Sequence, residues 1–597
     1  MITMFKKNLY RFVVAMFSVL TIVSCQKDID DTIVNPPTGE IPDLTSKVSS
    51  SVSGFVTDEN NAAVLGASVK VGTATATTDK YGYFQIKNVD VVKNAATVTV
   101  TKAGYFKGIK TYIATANKAA FFRIKLMPNN TAGTIDAAAG GNVTLANGLI
   151  VALPANAVVN ATTGAAYTGT INVAAQWLNP TAPDLNSIMP GDLRALNAAG
   201  ALRLLKTFGM AAVELTGAGG ELLQIATGKK ATLTFPLPSA IAGAAPASIQ
   251  LWHFDETVGL WKEEGSATKT GNTYVGEVSH FSFWNCDVPN DYVQFSCTIV
   301  DENGDPIPYV LAKISVVSDP SNAAFGYTDS TGFVSGAVPD NSSLKLEVFT
   351  SYSCLNTIYS QNFTTSNSNV NLGNITVPAS SSSIGNVSGT ATDCSSLPLT
   401  NGYIIMQKDN YYTRYNVSST GTFDFNVVLC GGPAVVTLIA EDVAAAQQSN
   451  PATYTLNTGA NTIGNIQACG VTTQEFVNYS IDGVPTSYTA PSDSVYMSGN
   501  GTTASFFLGG FSSSTQNNFQ IIIDRNNIAL NSVQQLISFT YNQIQLDPVS
   551  APVDVTITEY GAIGQFIAGN FTGVLTNQTS PVTNYNVTCS FRVRRSF

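Results

Sequence analysis

Apolar and polar residues alternate with a period of two along much of this chain, the pattern expected of strands that bury one face. The clearest stretch lies at the end: in Tyr585-Asn586-Val587-Thr588-Cys589-Ser590-Phe591-Arg592-Val593-Arg594 every second residue is apolar. Phe519-Gln520-Ile521-Ile522-Ile523 and the stretch from Gly564 to Gly573 are further candidate strands. Thr, Ser, Asn, Val and Gly dominate, a mixture suited to exposed β structure with polar turns, and long helices are expected to be scarce. A different pattern occurs near the start, where a mostly apolar run, Phe12 to Val23, follows Lys6, Lys7 and Arg11. It is shorter than the roughly 20 residues a membrane-spanning helix needs and is expected to be a secretory signal.

The alternation is organised into a repeat. The first copy is Val52-Ser53-Gly54-Phe55-Val56-Thr57-Asp58-Glu59-Asn60-Asn61, then Gly66-Ala67-Ser68-Val69-Lys70-Val71, then Thr78-Asp79-Lys80-Tyr81-Gly82-Tyr83-Phe84. It recurs as Cys297-Thr298-Ile299-Val300-Asp301-Glu302-Asn303-Gly304 with Thr328-Asp329-Ser330-Thr331-Gly332-Phe333 downstream. A weaker third copy has Val387-Ser388-Gly389-Thr390-Ala391-Thr392-Asp393-Cys394 and Ser419-Thr420-Gly421-Thr422-Phe423. Each describes a strand, an Asp/Asn/Gly turn, a second strand and a tight turn whose Gly precedes an aromatic returning to the core. Each copy is expected to close as its own antiparallel sandwich.

On these residues, segment 49–128 resembles the carboxypeptidase regulatory-like domain, a transthyretin-like sandwich that brings no catalytic residues with it. Segments 293–378 and 385–471 resemble diverged relatives. Segment 130–287, with Leu251-Trp252-His253-Phe254-Asp255-Glu256 and Val278-Ser279-His280-Phe281-Ser282-Phe283-Trp284, resembles the β-sandwich of the zonula-occludens and netrin-receptor family. Some members of that family cut their own backbone at a His-Phe-Ser triplet. Segment 472–597 resembles C-terminal β domains of Bacteroidetes lipoproteins. Ile22-Val23-Ser24-Cys25 is similar to a bacterial lipobox, which implies a signal peptide over 1–24, a lipid on Cys25 and a flexible tether over 25–48 rich in Pro. The charged residues after Cys25 resemble the tag that sends such lipoproteins to the outer face of the outer membrane. The fold class expected is all-β: tandem antiparallel β-sandwich domains after a lipoprotein signal and tether.

Charge narrows the partners. The formal net charge of −10 argues against nucleic acid, whose phosphates require clustered Lys and Arg. Arg592, Arg594 and Arg595 near the end are expected to form a solvated strand face. Besides Cys25 there are Cys286, Cys297, Cys354, Cys394, Cys430, Cys469 and Cys589. Their number is odd, so at least one lacks an intramolecular partner, and no Cys-x-x-Cys suggests a metal or redox site. Pairing within segments, such as Cys297 with Cys354 and Cys394 with Cys430, is the expectation, although connectivity does not follow from spacing.

Candidate chemistry is sparse. In self-cleaving proteins that resemble segment 130–287, the Ser hydroxyl attacks the preceding carbonyl with help from the His, so His280, Phe281 and Ser282 are the sharpest candidates. The simpler expectation is a final strand with Phe281 and Phe283 on one face and Ser282 and Trp284 on the other. With only His253 and His280 in the chain, a His-rich metal centre and a Ser-His-Asp triad are both disfavoured. Asp301, Asn303 and Asp305 alternate as calcium ligands do, but Asn303-Gly304 is a hairpin turn in its own right. Trp252 and Trp261 flank a turn and are expected to pack in a core rather than stack on sugar. No cofactor or metal is implied.

The expected function is therefore that of a non-enzymatic, surface-exposed outer-membrane lipoprotein that binds a glycan or protein, adheres, or holds another module in place. Two alternatives stand beside it: a self-cleaving surface protein using His280-Phe281-Ser282, and an accessory lipoprotein of an outer-membrane complex.

Overall fold

The computed structural model describes residues 41–597 apart from 117, 350–355, 379–383, 431, 491–492, 500–503, 513–515, 550, 562–565, 578–580 and 596–597. The signal segment, Cys25, most of the tether and Cys354 lie outside the described residues. The regular secondary structure of the described residues is almost entirely β strand, in successive sheets. The last residues of the expected tether are already structured. The Asp43 carboxylate accepts hydrogen bonds from Thr45 and Ser46, Leu44 packs beside Leu202 and Leu260, and the first strand begins at Lys47.

The three copies of the repeat share one topology. In the first, strand Lys47–Thr57 lies between Tyr83–Val92 and Ala119–Lys125. This three-stranded sheet faces a four-stranded one ordered Ala74–Thr77, Ser68–Val71, Ala96–Thr101 and Gly108–Tyr112. Alternate residues Val52, Val56, Val69, Val71, Val98 and Val100 fill the space between them. In the second copy Tyr292–Val300 is the central strand, and in the third it is Ile384–Thr392. One expectation needs correction here. The copies are not wholly antiparallel, because the closing strand pairs in parallel with the opening one in all three. The chain passes through the opposite sheet before it returns, which supplies the long crossover a parallel pair requires.

The repeated motif residues make the same bonds in each copy. The carboxylates of Asp58, Asp301 and Asp393 each accept two backbone N–H groups of the turn that follows, from Asn60 and Ala62, Asn303 and Asp305, and Ser395 and Leu397. Asp301 is thus occupied as a turn former, as expected from Asn303-Gly304. In the second turn Asp79 and Asp329 play the same part, and Ser418 replaces them in the third copy. The buried hydroxyls of Thr78 and Thr328 bridge adjacent strands by accepting from Ala67 and Val310 and donating to Val64 and Ile307. A buried hydroxyl costs stability unless it is paired, so both its hydrogen-bonding functions are used.

Between the first two copies lies a 13-stranded sheet system spanning Thr131–Asp136 to Phe283–Asn290. Its long strand Leu202–Thr216 is buried on both faces: Ala211 and Val213 face one core, while Met210 and Ala212 face the other. Trp252 and Trp261 are fully buried in the second core, in line with the packing expectation. Ten strands between Phe476–Ile481 and Asn584–Arg594 form the last unit. Its final strand buries Val587, Cys589, Phe591 and Val593, as its alternation implies. The arginines there are not a solvated face. Arg592 pairs with Glu559 and Arg594 with Glu475, each at 2.7 Å, and both guanidinium groups lie over the ring of Phe566. Stacking on an aromatic ring and pairing with a carboxylate let a guanidinium be buried at little cost.

Both proposed cysteine pairings fail. Cys394 is joined to Cys469, and Cys297 is a free thiol in the core of the second copy. Cys430 is disulfide-bonded, but its partner is not Cys394. The reason is topological: Cys394 and Cys469 follow the two strands of the parallel pair, so residues 75 apart in sequence end side by side. Cys286 and Cys589 are also free and buried, and burial raises the Cys297 thiol to about 12.

Candidate functional site

The units do not hang in a line. Phe55, Tyr81, Tyr83 and Phe121 of the first copy pack with Ile405 and Ile439 of the third. Phe106 and Ile109 of the first copy enter the core that holds Trp252 and Trp261. Arg194, almost wholly buried, donates from Nε to Asp192 at 2.7 Å and from Nη1 to the carbonyl of Asn94, bringing the 13-stranded sheet onto the first copy.

This packing encloses a cavity of about 750 Å3, within the range of small-molecule sites. One wall comes from Gly108–Tyr112 and Ala119–Lys125, the second from residues 180–193 and the start of Leu202–Thr216, and the third from Asp319–Tyr327 and Phe333–Pro339. Aromatic residues, among them Phe325 and Phe333, line it together with Asn322, Asn186 and Ser321, and the ammonium groups of Lys313 and Lys118 lie over the two rings at 6.0 and 5.7 Å. Two of its cations are held in place. Lys206 pairs with Asp319 across two units, and Lys110 donates to the carbonyls of Asn186 and Met189. Burial brings the Lys110 ammonium down to about 7, so the amine is close to losing its charge at neutral pH.

A second cluster surrounds the His-Phe-Ser triplet. The triplet is a bend rather than a strand, and strand Phe283–Asn290 begins only after it. The expected facing is also overturned: Phe281 and Trp284 share one core, and Phe283 enters the other. The bend breaks the two-residue alternation, so residues on either side of it change face. The Gln224 carboxamide clamps Phe281, accepting from its N–H at 2.7 Å and donating to its carbonyl at 3.1 Å. The Ser282 hydroxyl donates to the carbonyl of Phe283, and the His280 ring turns to Glu264. His280 and Ser282 therefore engage different partners, and none of the three residues has a left-handed backbone. The arrangement leads us to expect one intact chain by denaturing mass spectrometry, identical in a Ser282→Ala variant. Wild-type fragments meeting at Phe281 and Ser282 would show that the bend cleaves itself.

Both histidines of the chain meet here. His253 lies on strand Ser248–Asp255, and Glu264 lies on Leu260–Thr270. His253 Nε2 and His280 Nε2 are each 3.6 Å from Glu264 Oε2. The imidazole rings meet edge to face at 4.6 Å, beside the buried indole of Trp284. A bulge aims the carboxylate: Trp252 pairs with Glu263 and Gln250 with Ser266, so Glu264 and Gly265 together oppose Leu251, with Gly265 at φ +83°. Burial and the neighbouring His280 ring hold His253 below the ordinary imidazole range. No spacing motif announces this group, because its members come from two strands and a bend.

The sequence comparisons match a small part of the chain. A stretch of 109 residues, 18% of the chain, is 33% identical to mouse (Mus musculus) cartilage intermediate layer protein 2 and spans only 9% of that protein. Among solved structures, shaft pilin SpaA of Lactobacillus rhamnosus GG overlays 30% of this chain and 99% of its own at 11% identity and a TM-score of 0.16. A putative carbohydrate-binding protein of Bacteroides uniformis overlays 35% of this chain and 98% of its own at 10% identity and a TM-score of 0.11. At such TM-scores the overlays support no functional statement. The first copy of the repeat is where a family is matched: residues 51–127 fit the carboxypeptidase regulatory-like domain.

Proposed function

We propose that this chain is a non-enzymatic, surface-exposed lipoprotein, anchored through Cys25, that binds a glycan in the cavity between its first copy, its 13-stranded sheet and its second copy. The observation that carries the reading is the lining of that cavity, where aromatic residues such as Phe325 and Phe333 stand beside residues bearing amide and hydroxyl groups. Flat rings offer faces to the C–H surface of a sugar, while amides and hydroxyls bond its hydroxyl groups. The disulfide between Cys394 and Cys469 supports export, since such bonds persist in oxidising compartments. Among the described residues no helix is long and apolar enough to cross a membrane, which is compatible with attachment by lipid.

The test is binding of the mature chain to a broad glycan array, beside a Phe325→Ala variant. Phe325 is partly exposed, so its removal is expected to leave the fold intact. Retention of a defined glycan set, weakened by about tenfold or more in the variant, is the expected result. Equal binding by both proteins would remove the cavity from the reading. No glycan binding at all would turn the search to protein ligands.

A further inference from the structure

We propose that His253, Glu264 and His280 form a zinc site, with the remaining coordination position open to water or to a ligand. Among the described residues these are the three that bring two imidazoles and a carboxylate to one point, and their ligand atoms lie within 4.8 Å of one another. Tetrahedral zinc with bonds of about 2.0–2.1 Å separates its ligands by about 3.3 Å. The two His–Glu distances of 3.6 Å are close to that already. The two imidazoles, whose ligand atoms lie within 4.8 Å of each other, would draw together on binding.

Three features favour a metal over a simple hydrogen-bonded pair. Two imidazoles converge on the same carboxylate oxygen, each at 3.6 Å, too far for a direct hydrogen bond. The other oxygen, Oε1, accepts the Ser279 hydroxyl, the kind of outer bond that orients a ligating carboxylate. Lys262, opposite His253 across the strand pair, is turned to Asp255 at 2.6 Å and leaves Glu264 to the imidazoles. Two nitrogens and one carboxylate suit zinc and its first-row neighbours rather than calcium or magnesium, which prefer all-oxygen shells. The side chains are 16%, 39% and 30% exposed for His253, Glu264 and His280, which leaves an approach from solvent. The metal would tie the bend at His280 to the hairpin carrying His253 and Glu264.

The experiment uses the full mature chain without a histidine tag, stripped with a chelator and titrated with zinc chloride by calorimetry near neutral pH. One zinc per chain at micromolar affinity or tighter is expected, with cobalt giving the visible absorption of a tetrahedral site. Glu264→Gln and the double variant His253→Gln/His280→Gln are each expected to weaken binding by more than about tenfold. Glu264→Gln preserves shape, so it carries the test even if the double variant folds poorly. Absence of saturable binding below millimolar zinc, or undiminished binding by Glu264→Gln, would overturn the proposal.

Discussion

Replacing Arg414 with alanine is expected to lower the unfolding free energy by about 3–5 kcal/mol, the range for removing one partner of a buried ion pair. Arg414 is almost buried where the third copy meets the first. Its guanidinium pairs with Glu441, lies 3.7 Å from Asp79 and stacks over the rings of Tyr403 at 3.9 Å and Tyr83 at 4.6 Å. Without it Glu441, itself only 13% exposed, loses its ion-pair partner in the interface and keeps a hydrogen bond from Gln448 and the more distant Lys80 charge, with the Asp79 carboxylate close by. The shift in urea midpoint measures the effect, and limited proteolysis should show the first copy becoming susceptible. The double variant Arg414→Met/Glu441→Gln should recover more than half of the loss, because it removes the stranded charge along with its partner. A cost below about 1 kcal/mol for Arg414→Ala would mean that the interface does not depend on this charge.

Gly82→Val should be comparably damaging, by about 3 kcal/mol or more, through a different mechanism. Gly82 closes the tight turn of the first copy at φ +73°, and a Cβ there would lie 2.3 Å from the carbonyl oxygen of Val56. That atom belongs to the strand the turn must reach, since Val56 N–H donates to the Gly82 carbonyl and Val64 N–H donates to the Val56 carbonyl. A side chain therefore pushes apart two strands that define the sandwich. Gly104 is the control: its φ of +85° also disfavours a side chain, but no atom lies within 4 Å of its Cβ position. Gly104→Val should cost only about 1–2 kcal/mol, the backbone penalty alone. Similar losses at the two positions would show that the close approach at Gly82 is relieved by movement of the strand.

Much of each repeat was legible because its determinants are local. Asp58, Asp301 and Asp393 form their turns with residues two to four positions away, so the motif and the bonds coincide. The final strand was legible for the same reason: Val587, Cys589, Phe591 and Val593 face inward as the period of two requires. The errors began where a local rule met a distant partner. Arg592 and Arg594 occupy the outward face of that strand, but Glu559, Glu475 and Phe566 arrive from elsewhere to cover them. Cys394 pairs within its own segment as expected, but the closing parallel strand brings it Cys469 in place of Cys430. The His-Phe-Ser segment was extended as a strand, but the side chain of Gln224 holds it as a bend.

The sequence by itself determined the all-β character, the threefold repeat and the turns within it. These follow from side-chain alternation, from glycine at a left-handed turn and from carboxylates bonding their own neighbours. Only the tertiary structure decided how the units pack, which cysteines pair, where the cavity lies and that both histidines meet at Glu264. Each of those depends on contacts between residues far apart along the chain, and such contacts arise from the complementarity of whole folded surfaces.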